Sequence, residues 1–211
     1  MGYDKDTWRA RYAERSDLTT RLIHLTRPTE INGKKKHVHR VLFEILDSCT
    51  LKGSSTASGF IVGNTPAVCL QDAPLHAVGQ NCWFEQKWRK ENSRAKMRYT
   101  PTGIMLPKRY VYSQGGRPVI YESTSDAKKY LPANEWWRIV NFDLSDEKNI
   151  IDWSHEREWR VPGDLKFKLS DVTILLTNQG SLDTFIKLCD KTGKEFYKEV
   201  GGIVTMENIV F

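Results

Sequence analysis

The sequence predicts an α+β fold in a single domain, on three observations. Apolar runs of strand length are many and short, segments with helical spacing are few, and the two show no regular βαβ rhythm. With 211 residues, 39% hydrophobic and 27% charged, the chain can bury one core and is too apolar for disorder. Nothing in it reads as a linker, an internal repeat or a low-complexity segment.

Residues 3–17 are polar, with Trp8 and Tyr12 four apart on one helical face, so residues 1–20 read as an N-terminal helical extension. Leu22-Ile23-His24-Leu25-Thr26 reads as a buried strand that Pro28 helps to end. Val41, Leu42, Ile45 and Leu46 have helical spacing behind a basic approach at 34–40, and 51–58 reads as a loop. Phe60-Ile61-Val62 and residues 67–70 predict strands on either side of a Gly63-Asn64 turn. Residues 74–88 predict a helix. Further strands are expected at 103–106, 110–112, 118–121, 159–161, 172–176 and 203–204. Residues 126–131 and 136–140 have mixed, partly helical character, and 182–189 has helical periodicity.

The net charge of +6 favours polyanionic partners, nucleic acid first. Cys49, Cys69, Cys82 and Cys189 are widely spaced, which favours free thiols in a reducing compartment over a disulfide framework or a zinc site. No apolar run is long enough for a bilayer, and the charged, Trp-containing start is unlike a signal peptide. Gly2 lacks the hydroxyl residue that myristoylation expects, because position 6 is Asp6. The expected location is cytoplasmic, with no membrane partner. The phosphate-loop, dinucleotide, zincin and serine-hydrolase motifs are all absent from the sequence.

Chemistry concentrates at Ser154-His155-Glu156-Arg157-Glu158-Trp159-Arg160. On a strand, Glu156, Glu158 and Arg160 share one face and His155, Arg157 and Trp159 the other. Two carboxylates so placed repel, which raises the pKa of one and suits it to general-base work. The competing reading is an exposed, salt-bridged strand. His24 is a polar residue inside an apolar strand, with Thr26 on the same face. Lys87, Trp88, Arg89, Lys90, Arg94, Lys96 and Arg98 interleave cations with an aromatic before Tyr99, a pattern suited to nucleic acid. Ser123-Thr124-Ser125 reads as a helix cap.

Taken in order, these pieces resemble the ADP-ribosyltransferase fold, and among its members the bacterial toxin and anti-phage proteins of the DarT-like and AbiGi-like kind. The resemblance rests on His24 and Thr26, on 99–104, on Gly115-Gly116-Arg117-Pro118-Val119-Ile120-Tyr121, and on Trp153 through Arg160. It spans residues 21–167. It implies one domain over 1–211 with a split, mostly antiparallel β-sandwich flanked by helices. His24 and Thr26 would hold the nicotinamide end of NAD, with Arg21 the alternative first residue. Tyr110, Tyr112 or Tyr121 would stack on the ring. Glu158 would be the catalytic glutamate and Glu156 would orient or deprotonate the acceptor, or the two would exchange roles.

The implied function is mono-ADP-ribosylation of a nucleic acid, RNA or DNA, with a protein acceptor as the variant. A neutralising antitoxin-like partner follows by analogy. Two other readings compete. One is a non-enzymatic nucleic-acid-binding or antitoxin-like module. The other is a metal-dependent nuclease that uses Glu156 and Glu158 with Asp152 or Asp164.

Overall fold

The computed structural model describes residues 2–31, 33–92 and 97–210. Seven strands form its main sheet in the order Gly202–Thr205, Thr173–Leu176, Gly103–Pro107, Arg21–Leu25, Ala67–Gln71, Glu158–Pro162, Arg117–Pro118. Every pairing is antiparallel except that of Thr173–Leu176 with Gly202–Thr205. That parallel pair is joined through the helix Gln179–Thr192 and is a βαβ unit the sequence did not announce. Its last strand starts at Gly202 in a Gly-Gly pair and is only partly buried, so it carries little pattern of its own. The fold is mixed α+β: a large, mostly antiparallel sheet with helices on both faces.

Alternation along the strands sorts the core onto two faces. Leu22, Ile104, Leu106, Ile174 and Leu176 pack with Leu42, Leu46, Phe185 and Cys189 from the helices Val38–Ser48 and Gln179–Thr192. Ile23, Met105 and Leu175 point the other way, onto Val78 and Cys82 of the helix Leu75–Glu91. A slip of one residue would turn both sets outward. Each buried aliphatic is worth about 1.5–3 kcal/mol, so the register Leu22↔Leu106, Ile23↔Met105 is strongly specified.

At the centre the sheet opens. Arg21–Leu25 pairs with Gly103–Pro107 along its whole length, but with Ala67–Gln71 only at Ile23↔Gln71. Ala67–Gln71 instead follows Glu158–Pro162 through five pairs. Past Ile23 the two neighbours diverge, and His24 spans the gap by donating from Nδ1 to Cys69 O at 2.9 Å. Gly103 permits the close approach on the other side, since a Cβ there would lie 2.0 Å from His24 O.

Three expected strands differ. Residues 60–62 form no strand, because Gly59 and Gly63 on either side adopt positive φ of 79° and 84° and leave too short a run to ladder. Residues 110–112 lie in a helix, Lys108–Ser113. Lys108 and Val111, three residues apart, are the buried positions there, the spacing of one helix face, which a strand would turn to opposite sides. Residues 118–121 are divided: Arg117–Pro118 edges the main sheet, and Ile120–Glu122 pairs in parallel with Ile139–Asn141.

The extension holds one helix, Lys5–Ala13, capped by Asp4 accepting from Thr7 N at 2.8 Å, with no buried residue. It touches the domain where Lys108 Nζ lies 4.8 Å from the Tyr12 ring centre and where Arg157 donates to Asp17 O. All four cysteines are free. Among the described residues no helix is long and apolar enough to cross a membrane.

Candidate functional site

A cleft of about 510 Å³ opens where the sheet diverges. His24 and Thr26 line it from one strand, Cys69 and Gln71 from the next, and Glu156, Glu158 and Arg160 from the third. The strand Ile139–Asn141 and Thr124 add to its lining. Thr124 is tied down by Asn141 Oδ1, which accepts from its backbone N at 3.0 Å. Ser123 caps the helix Thr124–Tyr130, its hydroxyl accepting from Asp126 N.

Glu156 is not on the strand. It ends a single turn of 3₁₀ helix, Ser154–Glu156, and Arg157 then takes a left-handed φ of 45° before the strand begins at Glu158. The expectation of simple alternation from Glu156 to Arg160 is therefore corrected. The turn nevertheless delivers both carboxyl groups to the cleft. The strand half of the segment does alternate: Glu158 and Arg160 lie opposite Gln71 and Cys69, on the face of Ile23.

Glu158 and Arg160 form a buried pair, 7% and 3% exposed, rather than an exposed salt bridge. Arg160 Nε donates to Glu158 Oε1 at 2.8 Å and Nη2 to Oε2 at 3.3 Å. The rest of the guanidinium donates to the carbonyls of Trp137, Ile139 and Phe60. This fork leaves Glu158 one orientation. The Tyr121 hydroxyl accepts from Glu158 N at 2.7 Å and fixes the backbone beneath it.

Burial, and then the neighbouring charge of Glu158, push the Glu156 carboxyl up to about 7. A group whose proton is held more tightly in the folded state destabilises that state as the proton leaves. Below the ordinary value of 4.5 the cost is absent; as pH rises through about 7 it reaches roughly 3 kcal/mol. Urea unfolding across pH 4 to 8 should therefore show wild type losing stability relative to Glu156→Gln over that window. Parallel curves for the two proteins would refute the shift.

Burial holds the His24 imidazole below its ordinary pKa, so the ring is neutral near pH 7. Because Nδ1 donates to a carbonyl, Nε2 is left as an acceptor on a ring lining the cleft. Thr26 is at the cleft but already engaged. Its Oγ1 and N both donate to Thr102 O, and its carbonyl accepts from Thr100 N at 3.0 Å. Cys69 stays a thiol, since burial and Glu158 push its pKa far up.

Two residues that sequence reasoning missed also line the cleft. Gln71 and Tyr99 are only 7% and 8% exposed, and Gln71 Oε1 and Tyr99 Oη are buried with no hydrogen-bond partner among the described residues. A buried polar atom without a partner costs about 1–3 kcal/mol, which a ligand group would relieve. The available signal for Gln71 was its place closing the apolar run 67–70; Tyr99 was marked only as an aromatic ending the basic stretch, with no role at the cleft.

The other predicted residues lie elsewhere. Arg21 begins its strand opposite Pro107 and is not part of the cleft lining, and its Nη1 is buried without a partner among the described residues. Tyr110 donates to Lys166 O at 2.7 Å, Tyr112 lies exposed beneath Arg117, and the Tyr121 hydroxyl is taken up by Glu158 N, so the cleft's lining includes none of the three. Lys87, Trp88, Arg89 and Lys90 lie exposed on the helix Leu75–Glu91. Arg98 instead lines the cleft, its guanidinium 3.8 Å from the Trp153 ring centre. Arg94 and Lys96 lie outside the described residues. Asp164 pairs with Lys52 at 2.7 Å, and Asp152 accepts from Ser154 N. Among the described residues no group of three or more His, Cys, Asp or Glu is arranged to hold a metal ion. Comparison of the chain with family models, with curated proteins and with solved structures finds no match.

Proposed function

We propose that the chain is a mono-ADP-ribosyltransferase that takes ADP-ribose from NAD, with a nucleic acid as acceptor. The observation that carries this reading is the meeting of His24, Gln71, Glu156 and Glu158, from distant parts of the chain, in one cleft with unpartnered polar atoms. The opening of the sheet beside His24 suits the split β architecture that the resemblance implies. A cleft of about 510 Å³ is within the range of small-molecule sites.

On this reading His24, rather than Arg21, meets the nicotinamide end, offering Nε2 to a donor. The Gln71 carbonyl oxygen and the Tyr99 hydroxyl supply further hydrogen bonds. Glu158, held by Arg160, faces the ribose and stabilises positive charge as the bond from C1′ to nicotinamide breaks. The bonding pair leaves with nicotinamide, C1′ bonds to the acceptor atom, and the acceptor's proton passes to Glu156. A carboxyl with a pKa near 7 is well matched to that step. An enzyme of this kind would harm its own cell, so a neutralising partner protein belongs to the reading.

The exposed Lys87, Trp88, Arg89 and Lys90 favour a second reading, a module that binds nucleic acid without chemistry. Labelled NAD incubated with the protein and with total RNA, DNA and protein separates the two. Label is expected in a nucleic-acid fraction. Intact NAD with no label in any fraction, from a folded protein, would leave the binding module.

A further inference from the structure

We infer that a groove beside the cleft seats the acceptor, and that its occupant is an unpaired base of a single-stranded nucleic acid. The inference rests on the transferase reading for the word acceptor; the groove itself stands on geometry. It encloses about 420 Å³ and is separate from the cleft except at Arg98, Tyr99 and Trp153, which line both. Whatever lies in it therefore lies next to the Glu156 side of the cleft. Consistent with that proximity, the charges of Arg98 and Glu85 both act on Glu156.

One wall is a face of the helix Leu75–Glu91, where Asn81, Phe84, Glu85 and Trp88 recur at the three- and four-residue spacing of helical neighbours. Opposite it stands Trp153, under Arg98. Arg98 Nη1 is also 3.6 Å from Glu85 Oε1, an ion pair that ties the stacked guanidinium to the helix wall. Phe84 and Trp88 are 63% and 40% exposed, large apolar surface that folding leaves uncovered. Flat rings together with a stacked guanidinium suit a planar π-system, and every nucleobase has one.

Charge decides between a base and other planar groups. Glu85, paired with Arg98, and Asp152, which accepts from Ser154 N, line the groove with His155. The two carboxylates keep acceptor oxygens for the amino and imino donors of a base edge, and with Arg98 already paired the lining offers phosphate no free arginine. Lys87, Arg89 and Lys90 lie on the same helix outside the lining, exposed, where a backbone leaving the groove would meet them. Tyr99 adds a buried, unpartnered hydroxyl where the groove and the cleft meet. In a duplex the base faces are already stacked, so only an unpaired base can enter.

The test measures binding of short labelled single-stranded DNA, single-stranded RNA and duplex to the full chain by fluorescence anisotropy. Single strands are expected to bind more tightly than duplex and to quench tryptophan emission. Trp88→Ala should weaken single-strand binding by about 5- to 150-fold, the equivalent of one lost base stack, with Trp88→Phe recovering most of it. Trp88 is outside the buried core, so the variant should fold, and Phe84→Ala gives an independent check. The tighter of DNA and RNA names the natural strand. Wild-type affinity in both alanine variants, or a preference for duplex, would overturn the groove even if label transfer occurs. Strand binding lost in Trp88→Ala, with no transfer from NAD under any condition, would keep the groove and sink the transferase reading. Label confined to the protein fraction would overturn a nucleic-acid acceptor.

Discussion

Glu158→Gln is expected to lower transfer of label from NAD by about 10²- to 10³-fold, the scale on which a charge-stabilising group at a reacting centre acts. The substitution keeps the shape of the side chain and leaves an oxygen to accept from Arg160 Nε, now 2.8 Å from Glu158 Oε1. It removes the negative charge. Glu156 should respond too. Its carboxyl is raised first by burial and next by Glu158, so in the variant its apparent pKa should fall from about 7. The pH at which residual transfer is half-maximal should therefore move to lower pH. Transfer at the wild-type rate by a folded Glu158→Gln protein would refute the assigned role. Loss of transfer together with loss of folding would shift the test to Glu156→Gln, which is outside the Arg160 fork and is expected to lose the proton-accepting step alone.

Arg160→Met should cost about 3–5 kcal/mol of stability, the most damaging single change proposed for this chain. Arg160 makes five hydrogen bonds, two to Glu158 and three to the carbonyls of Trp137, Ile139 and Phe60. Without it, Glu158 is left buried beside Glu156 with its counter-charge gone. The double variant Glu158→Leu with Arg160→Met should recover part of the loss, because removing both members of a buried pair is far cheaper than removing one. Urea midpoints of wild type, Arg160→Met, Glu158→Leu and the double variant give the coupling. A cost below about 1 kcal/mol for Arg160→Met would mean that the fork is not what holds this end of the cleft together.

Several elements were legible because their cause is local. Leu42 and Leu46 announced their helix by spacing, Ser123 its cap by residue type, and the strands 67–70 and 103–106 their burial by unbroken apolar runs. Tyr110-Val111-Tyr112 failed because three apolar residues fit either period. The choice was made outside the triplet, where Lys108 is buried three residues before Val111 on the same helix face. Arg98 looked like one more surface cation in a basic run. Its position over Trp153, 55 residues later by number and 3.8 Å away in space, gave it a different setting.

For the candidate site, the sequence by itself determined that Glu156, Glu158 and Arg160 fall together, since a few bonds separate them, and that His24 interrupts an apolar strand. Tertiary structure alone decided that Glu156 sits on a turn, that Arg160 clamps Glu158, and that Gln71 and Tyr99 join them. It also placed Arg21, Tyr110, Tyr112 and Tyr121 outside the cleft lining. The physical reason is range. Periodicity and capping are set by neighbours within a turn or a pleat, whereas the cleft depends on Ala67–Gln71 leaving Arg21–Leu25 after one pair to follow Glu158–Pro162. That divergence is settled by the packing of two core faces at once, and no short stretch of chain contains it.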